Sequence, residues 1–258
     1  MESQQNAPRI AHPIVSEAEW LAAREALLAE ERAFTQARDA LVAKRRALPW
    51  VHVDKTYQFD TPQGPRTLVQ LFGPRSQLLT YHFMLGPDWE EGCVGCSFLS
   101  DHVDGMLAHL EHHDVTYVAV SRAPLAKIEA FKARMGWRFP WVSSHGSDFN
   151  FDYRVSFTEE DKARGKAVYN YAEQDYASDE LPGISAFYLD PGDASGTVYH
   201  TYSAYARGVE TAIGTYAMLE FTAKGRNEQV DMREWVRHHD RYEAGAAPSC
   251  CAHERHEA

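Results

Sequence analysis

Apolar residues recur at Trp20, Leu27, Phe34, Leu41 and Leu48, one every seven positions, with Leu21, Leu28 and Val42 widening the stripe. That spacing predicts one long amphipathic helix. Ser16 with Glu19 three residues on forms a capping box at its start. Lys44, Arg45 and Arg46 suit the negative end of the helix dipole, and Pro49 stops the helix after Leu48. A stripe this apolar must be buried, either on the helix's own domain or in a seam with a second copy of the chain. We expect it to contribute to a homodimer. Residues 1–15, ahead of it, read as a disordered N-terminus.

From Trp50 the period changes. Val51 to Phe59 alternates like a strand, Thr61 to Pro65 is a turn, and Thr67 to Phe72 is a short extended stretch leading into a loop. Leu78 to Leu85 reads as a buried strand, Ser97 to His113 as a helix, and Val115 to Ser121 as a second buried strand. Ala123 to Met135 predicts another helix with Pro124 in its first turn, followed by an extended Phe139 to Val142. Residues 144–181 are polar, aromatic and irregular, an insertion. Ile184 to Asp190 and Gly196 to Tyr205 form a hairpin, Val209 to Leu219 a helix, and residues 226–243 a last helix. Strands alternating with helices, then a hairpin and a helix, is the order of an α/β thioredoxin-like fold. It comprises a central mixed sheet flanked by helices, here with a long N-terminal helix (16–48) and an added strand. The domain spans 49–243, and residues 244–258 form a flexible Cys/His tail.

Composition narrows the functions available. Apolar residues make up 44% of the 258 positions and aromatics 12%, enough for a sizeable core. The formal net charge of −11 argues against nucleic acid or an anionic membrane as a partner. No apolar run approaches a membrane span, and the polar stretch Met1 to His12 has no signal-peptide core. Four cysteines in a chain of this size do not make a secreted disulfide scaffold. These features place the protein in a reducing cytoplasm. No Gly-rich phosphate loop, GxSxG elbow or HExxH occurs, so nucleotide cofactors and hydrolase mechanisms lack support.

The chemistry concentrates in Cys93-Val94-Gly95-Cys96. Two cysteines three apart at the start of a helix, between two buried strands, read as a redox pair. Unpaired N–H groups in a helix's first turn favour a thiolate. Cys93 is the expected nucleophile, and Cys96 the thiol that resolves the mixed disulfide. Asp88, Glu90 and Glu91, just upstream, oppose a thiolate by like charge. A structural zinc half-site and an inert pair of thiols are the alternatives, although zinc needs four ligands and there is no second CxxC.

The strings "LPWVHVDKTYQFDTPQGPRTLVQLF", "YHFMLGPDWEEGCVGCSF", "VAVSRAPLAKIEAFKARMGWRFPWVSS", "GSDFNFDYRVSF" and "YHTYSAYARG" resemble an uncharacterised bacterial thioredoxin-like family. Its members are catalogued as predicted dithiol-disulfide oxidoreductases, near the alkyl hydroperoxide reductase and thiol-specific antioxidant branch. The resemblance covers roughly residues 16–243. It implies the thioredoxin-like fold and thiol–disulfide oxidoreductase activity at Cys93 and Cys96. No cofactor is then required, the substrate is a protein or small-molecule thiol or disulfide, and a reductant must be supplied. A thiol peroxidase is a further alternative. Peroxiredoxins approach their cysteine through Pro-x-x-x-Thr-x-x-Cys. Here Pro87 is present, but Glu91 stands where the threonine would be and Cys93 comes one residue early. The nearest match to the cis-proline of thioredoxins is Pro182, in Pro182-Gly183-Ile184.

Several other residues are candidates. Alternation puts His200 and Tyr202 on one strand face, with Tyr205 and Arg207 beyond, facing the dithiol as proton-transfer or substrate groups or packing as aromatic core. Trp89, in the loop before Cys93, joins them. His82, mid-strand, reads as a buried histidine or a site residue. His109 and His113 share a face of the CxxC helix with the spacing of a metal pair, or form a solvated face with His102 and His112. The aromatic segment Trp137 to Asn150 is a candidate cleft wall. A second reading makes the protein a soft-metal binder, holding copper or zinc with Cys93, Cys96 and His82 or His200, as Sco-type copper proteins do with two cysteines and a histidine. The tail adds Cys250, Cys251, His253 and His256 as metal ligands or as thiols for exchange with Cys93.

Overall fold

The computed structural model describes residues 12–193 and 196–242. The tail residues Cys250, Cys251, His253 and His256 and most of the expected disordered N-terminus lie outside the described residues. The chain divides at Pro49/Trp50. The first unit is helix α1 (Glu17–Arg46), opened by the capping box: Ser16 Oγ accepts from the Glu19 N–H at 3.3 Å, and Glu19 Oε2 accepts from the Ser16 N–H at 2.9 Å. No residue of α1 is buried.

The second unit holds β1 (Val51–His52), β2 (Gln58–Phe59), β3 (Arg66–Thr67), α2 (Leu68–Leu71), β4 (Gln77–His82), α3 (Val94–Ser100) and α4 (Leu107–His112). Then come β5 (Val115–Ser121), α5 (Leu125–Arg134), β6 (Trp141–Ser143), α6 (Phe149–Asp152), α7 (Glu159–Arg164), β7 (Lys166–Tyr169) and β8 (Ala172–Asp175). The chain continues through β9 (Gly183–Leu189), β10 (Val198–Tyr205) and α8 (Gly214–Leu219). Six strands form one sheet in the order β1-β10-β9-β4-β5-β6. β4 pairs in parallel with β5 and antiparallel with β9, and β10 returns antiparallel to β9. A central β-α-β unit followed by an antiparallel hairpin and a helix is the thioredoxin-like arrangement. The added N-terminal strand, β1, lies antiparallel along β10 at the edge.

Alternation along β4 divides the interior. Leu79, Tyr81 and Phe83 point to the face covered by α3 and α5, where Leu99, Ile128, Trp137 and Trp141 pack. Leu78 and His82 point to the opposite face, filled by Phe149, Tyr153 and Phe187. Among the described residues no helix is long and apolar enough to cross a membrane.

Several expected elements differ; the Val209–Leu219 helix, for one, is a 3₁₀ turn over Ala206–Ala212 followed by α8. The Val51–Phe59 strand is split into β1 and β2, because Lys55 and Tyr57 turn aside to Asp152. Thr67 to Phe72 is largely α2, started by a second capping box between Thr67 and Gln70. The Ser97–His113 helix breaks into α3 and α4, because the carboxylate of Asp104 caps the N–H groups of Arg138 and Phe139 while that of Asp101 takes the Trp137 indole. Of the expected helix over 226–243, the described residues 226–242 make only short 3₁₀ turns. There Glu234 accepts from the Gln229 and Val230 N–H groups and Asp231 from that of Arg233, local bonds that compete with a helix. Residues 144–181 are not irregular: they carry α6, α7 and the β7–β8 hairpin.

Candidate functional site

Cys93 is the N-cap residue of α3, one residue beyond Gly92, and its N–H donates to the Met84 carbonyl at 3.0 Å. Glycine is needed at position 92, since a Cβ there would stand 2.7 Å from the rings of both Phe131 and Phe83. That close packing seats the CxxC turn on the end of β4. Cys96 follows one turn later. Cys93 is 8% exposed and Cys96 2%, and no disulfide joins them.

Two donors converge on the Cys96 sulfur, the Met84 N–H at 3.5 Å and the phenol of Tyr81. Burial, and then the neighbouring Cys96 sulfur, pushes the Tyr81 pKa well up, so Tyr81 stays a hydrogen-bond donor. A second phenol, Tyr117, is buried without a hydrogen-bond partner among the described residues, and its pKa is also raised, by burial first and by Cys96 next. Sequence reasoning missed Tyr81. The signal was available: alternation along β4 places it on the face opposite His82, beside Phe83 and Leu79.

The expected like-charge penalty upstream is small. Glu91 is held by Arg134 and Arg241, so its charge is compensated, while Asp88 and Glu90 are exposed to water. His238 is buried against the same loop, its Nε2–H donating to the Gly92 carbonyl at 2.9 Å while Nδ1 accepts from Arg134. Burial lowers the His238 pKa, which suits a neutral ring in that role.

Both cysteines open into a cavity of about 530 Å³. Tyr81, Met84 and Leu99 line it beside the dithiol, Leu181 and Pro182 form one wall, and Val209 and Ile213 the other. Met232 and Val236, from the strap that follows α8, cover it. Arg207 and Arg233 stand at the rim, where the Arg207 guanidinium meets Glu210 at 3.2 Å and that of Arg233 meets Asp231. The insertion holds the first wall. The Tyr169 phenol donates to the Pro182 carbonyl at 2.6 Å and accepts from the Ala206 N–H at 2.7 Å. The Leu181 N–H donates to Val155 O at 2.8 Å, and Glu180, 2% exposed, takes Arg122 Nε and Ser156 Oγ at 2.6 Å each.

Of the other candidates, Arg207 and Pro182 reach this cavity. His200 and Tyr202 do not share a face, because a bulge between them shifts the register: His200 pairs with Phe187 and Tyr202 with Ala186. His200 therefore joins His82 on the far side of the sheet, linked through two serines: His82 Nε2 to Ser185 Oγ at 2.9 Å, on to Ser203 Oγ at 2.8 Å, and to His200 Nε2 at 2.7 Å. Trp89 packs over Gly86 and does not line the cavity. Trp137, Phe139, Trp141 and Phe149 are core residues rather than a cleft wall. Pro182 borders the cavity, but no peptide bond among the described residues is cis. His109 on α4 and His113, just past its end, are exposed, and His102 bonds Thr215.

Copper or zinc on Cys93, Cys96 and a histidine finds no such set: among the described residues no group of three His, Cys, Asp or Glu is placed to hold a metal. His82 and His200 are separated from the dithiol by the sheet itself. The described residues, taken by themselves, do not form a three-ligand set for that group.

Burial lowers the His82 pKa from 6.5 to about 3. Its folded value lies below its unfolded one, so its stabilisation is present above pH 6.5 and lost as pH falls towards 3, at about 1.4 kcal/mol per pH unit. The stability difference between wild type and His82→Gln, from urea unfolding, is expected to narrow by about 2 kcal/mol between pH 7 and pH 5. A constant difference would contradict a neutral buried His82.

The sequence pattern of one protein family, described as "Bacterial protein of unknown function (DUF899)", matches residues 9–242. The chain belongs to this family. No curated protein matches this DUF899 member. Among solved structures it is similar to Xanthomonas campestris Peroxiredoxin Q, at 17% identity over 63% of this chain and 89% of that one, with a TM-score of 0.38. Peroxidoxin BcpB from Mycobacterium tuberculosis is 14% identical over 64% and 94% of the two chains, with a TM-score of 0.37. The mitochondrial 2-cys peroxiredoxin from Plasmodium falciparum is 14% identical over 66% and 91%, with a TM-score of 0.38.

Proposed function

We propose that this DUF899 protein is a thiol–disulfide oxidoreductase, with Cys93 as nucleophile and Cys96 as resolving thiol. One observation carries the reading: two thiols one helical turn apart share the wall of an apolar cavity, and the deeper one receives a phenol and a backbone N–H. Cys93 is the more accessible of the two residues and meets the substrate first. It attacks one sulfur of a substrate disulfide, whose other sulfur leaves as a thiol. Cys96 then attacks Cys93, releasing the second substrate thiol and leaving a Cys93–Cys96 disulfide. Two electrons and two protons pass to the substrate. The Tyr81 O–H and Met84 N–H stabilise the Cys96 thiolate as it forms, a charge-assisted interaction stronger than a neutral hydrogen bond. A dithiol reductant reverses the sequence and restores the pair.

The test is a thiol count with intact mass. In a Cys250→Ser/Cys251→Ser variant, which leaves Cys93 and Cys96 as the thiols, treatment with a disulfide is expected to remove two thiols, lower the mass by the two hydrogens of one internal disulfide, and be reversed by dithiothreitol. Tyr81→Phe is expected to slow the second step about tenfold, the worth of one hydrogen bond to a charged sulfur, with the mixed disulfide accumulating transiently. A protein in which both thiols remain reduced under these conditions is not an oxidoreductase of this kind.

A further inference from the structure

We infer that the dithiol acts on low-molecular-weight disulfides with an aliphatic body, and not on disulfides carried by other proteins; this rests on the thiol–disulfide reading above. Both cysteines are nearly closed off from solvent, at 8% and 2% exposure, and the way to them is through the cavity rather than across an open surface. The volume of about 530 Å³ is that of a small-molecule site. Its interior is apolar, and its charges sit at the rim, where each arginine is paired with an acid.

The backbone at the wall adds a separate reason. A protein disulfide arrives on a polypeptide whose N–H and C=O groups need partners when they leave water. Here those partners are already taken: the Leu181 N–H is given to Val155, Pro182 has no N–H and its carbonyl receives Tyr169, and the Ala206 N–H is given to Tyr169. A peptide edge laid against this wall would lose water contacts and find these backbone groups already committed. An aliphatic disulfide brings no such groups, and its methylenes match Met84, Leu99, Val209 and Ile213. The strap reinforces the choice. A Cβ on Gly95 would meet Met232 Sδ at 2.9 Å, so Met232 lies directly over the turn between the two cysteines.

The reaction balances without further components. The reduced protein loses two electrons and two protons, forming Cys93–Cys96. One S–S bond of the substrate breaks, and its two sulfurs leave as thiols.

The experiment measures single-turnover oxidation of the reduced full-length protein by lipoamide and by insulin, each rate divided by that of the same disulfide with dithiothreitol. Lipoamide is expected to exceed insulin by at least about tenfold on this scale, the cost of leaving peptide groups unpaired. Val209→Trp, which fills the cavity, is expected to slow lipoamide by about tenfold or more. Met232→Ala is expected to raise the insulin rate. Should insulin match or outpace lipoamide while Cys93→Ser abolishes both, the small-substrate inference fails and the dithiol reading stands. Should neither disulfide oxidise the pair, the dithiol reading itself fails. If Val209→Trp does not fold, the wild-type ratio still decides.

Discussion

Cys93→Ser is expected to remove thiol–disulfide exchange down to the uncatalysed background, a loss of roughly three orders of magnitude or more for a nucleophile that cannot be substituted. A serine hydroxyl does not attack a disulfide under these conditions, whereas a thiolate does. Cys96→Ser is expected to behave differently. Cys93 still attacks, but the mixed disulfide has no resolving thiol and accumulates as a stable adduct with the mass of one substrate half. The two variants together assign the roles. The reverse pattern, with Cys93→Ser trapping the adduct, would make the deeper Cys96, on which Tyr81 and the Met84 N–H converge, the nucleophile. Equal retention of activity in both would remove the dithiol from the chemistry.

Arg122→Ala is expected to destabilise the fold by about 3–5 kcal/mol, the usual cost of stranding one member of a buried ion pair. Glu180 is the member left behind, 2% exposed, its carboxylate held otherwise among the described residues by Ser156. The loss has a pH signature. Burial raises the Glu180 pKa in the folded protein, while Arg122 and Ser156 pull it back. Without Arg122 the folded-state value climbs further above the unfolded one. For a raised pKa, the contribution to stability is present below the unfolded value near 4.5 and lost as pH rises through the folded value. The deficit of the variant should therefore be large at pH 7.5 and shrink towards pH 4.5, measured by chemical denaturation at both. A deficit equal at the two pH values would show that lost packing over the Phe151 ring, and not the stranded carboxylate, is responsible. Because Glu180 precedes the Leu181–Pro182 wall, the same variant should also slow reaction with small disulfides.

The β-α-β order, the hairpin and the CxxC turn were all legible in the chain, because strand runs such as Val115 to Ser121 are continuous and apolar and Gly92 to Cys96 sits where β4 hands over to α3. The helix from 97 to 113 and the one expected over 226–243 were misread for one shared reason. Asp101, Asp104, Asp231 and Glu234 spend their side chains on backbone and indole N–H groups that lie near or far in the fold, and a periodic pattern carries no record of such bonds. His200 was misplaced by a single bulge, since one extra residue reverses the face of everything before it.

What the sequence determined by itself was local. It set which residues cap α1, where the apolar strands run, and that two cysteines stand one turn apart, because these depend on neighbours within a few positions. What the cysteines face was decided only by tertiary structure. Tyr81 reaches Cys96 because β4 lies under α3. Leu181 and Pro182 wall the cavity because an ordered insertion and the buried Arg122–Glu180 pair hold them there. Met232 covers the dithiol because the strap after α8 is tied back to the CxxC loop through His238, Arg241 and Glu91. Each of these contacts joins residues far apart in the chain, so each depends on the completed sheet and its packed faces rather than on any spacing along it.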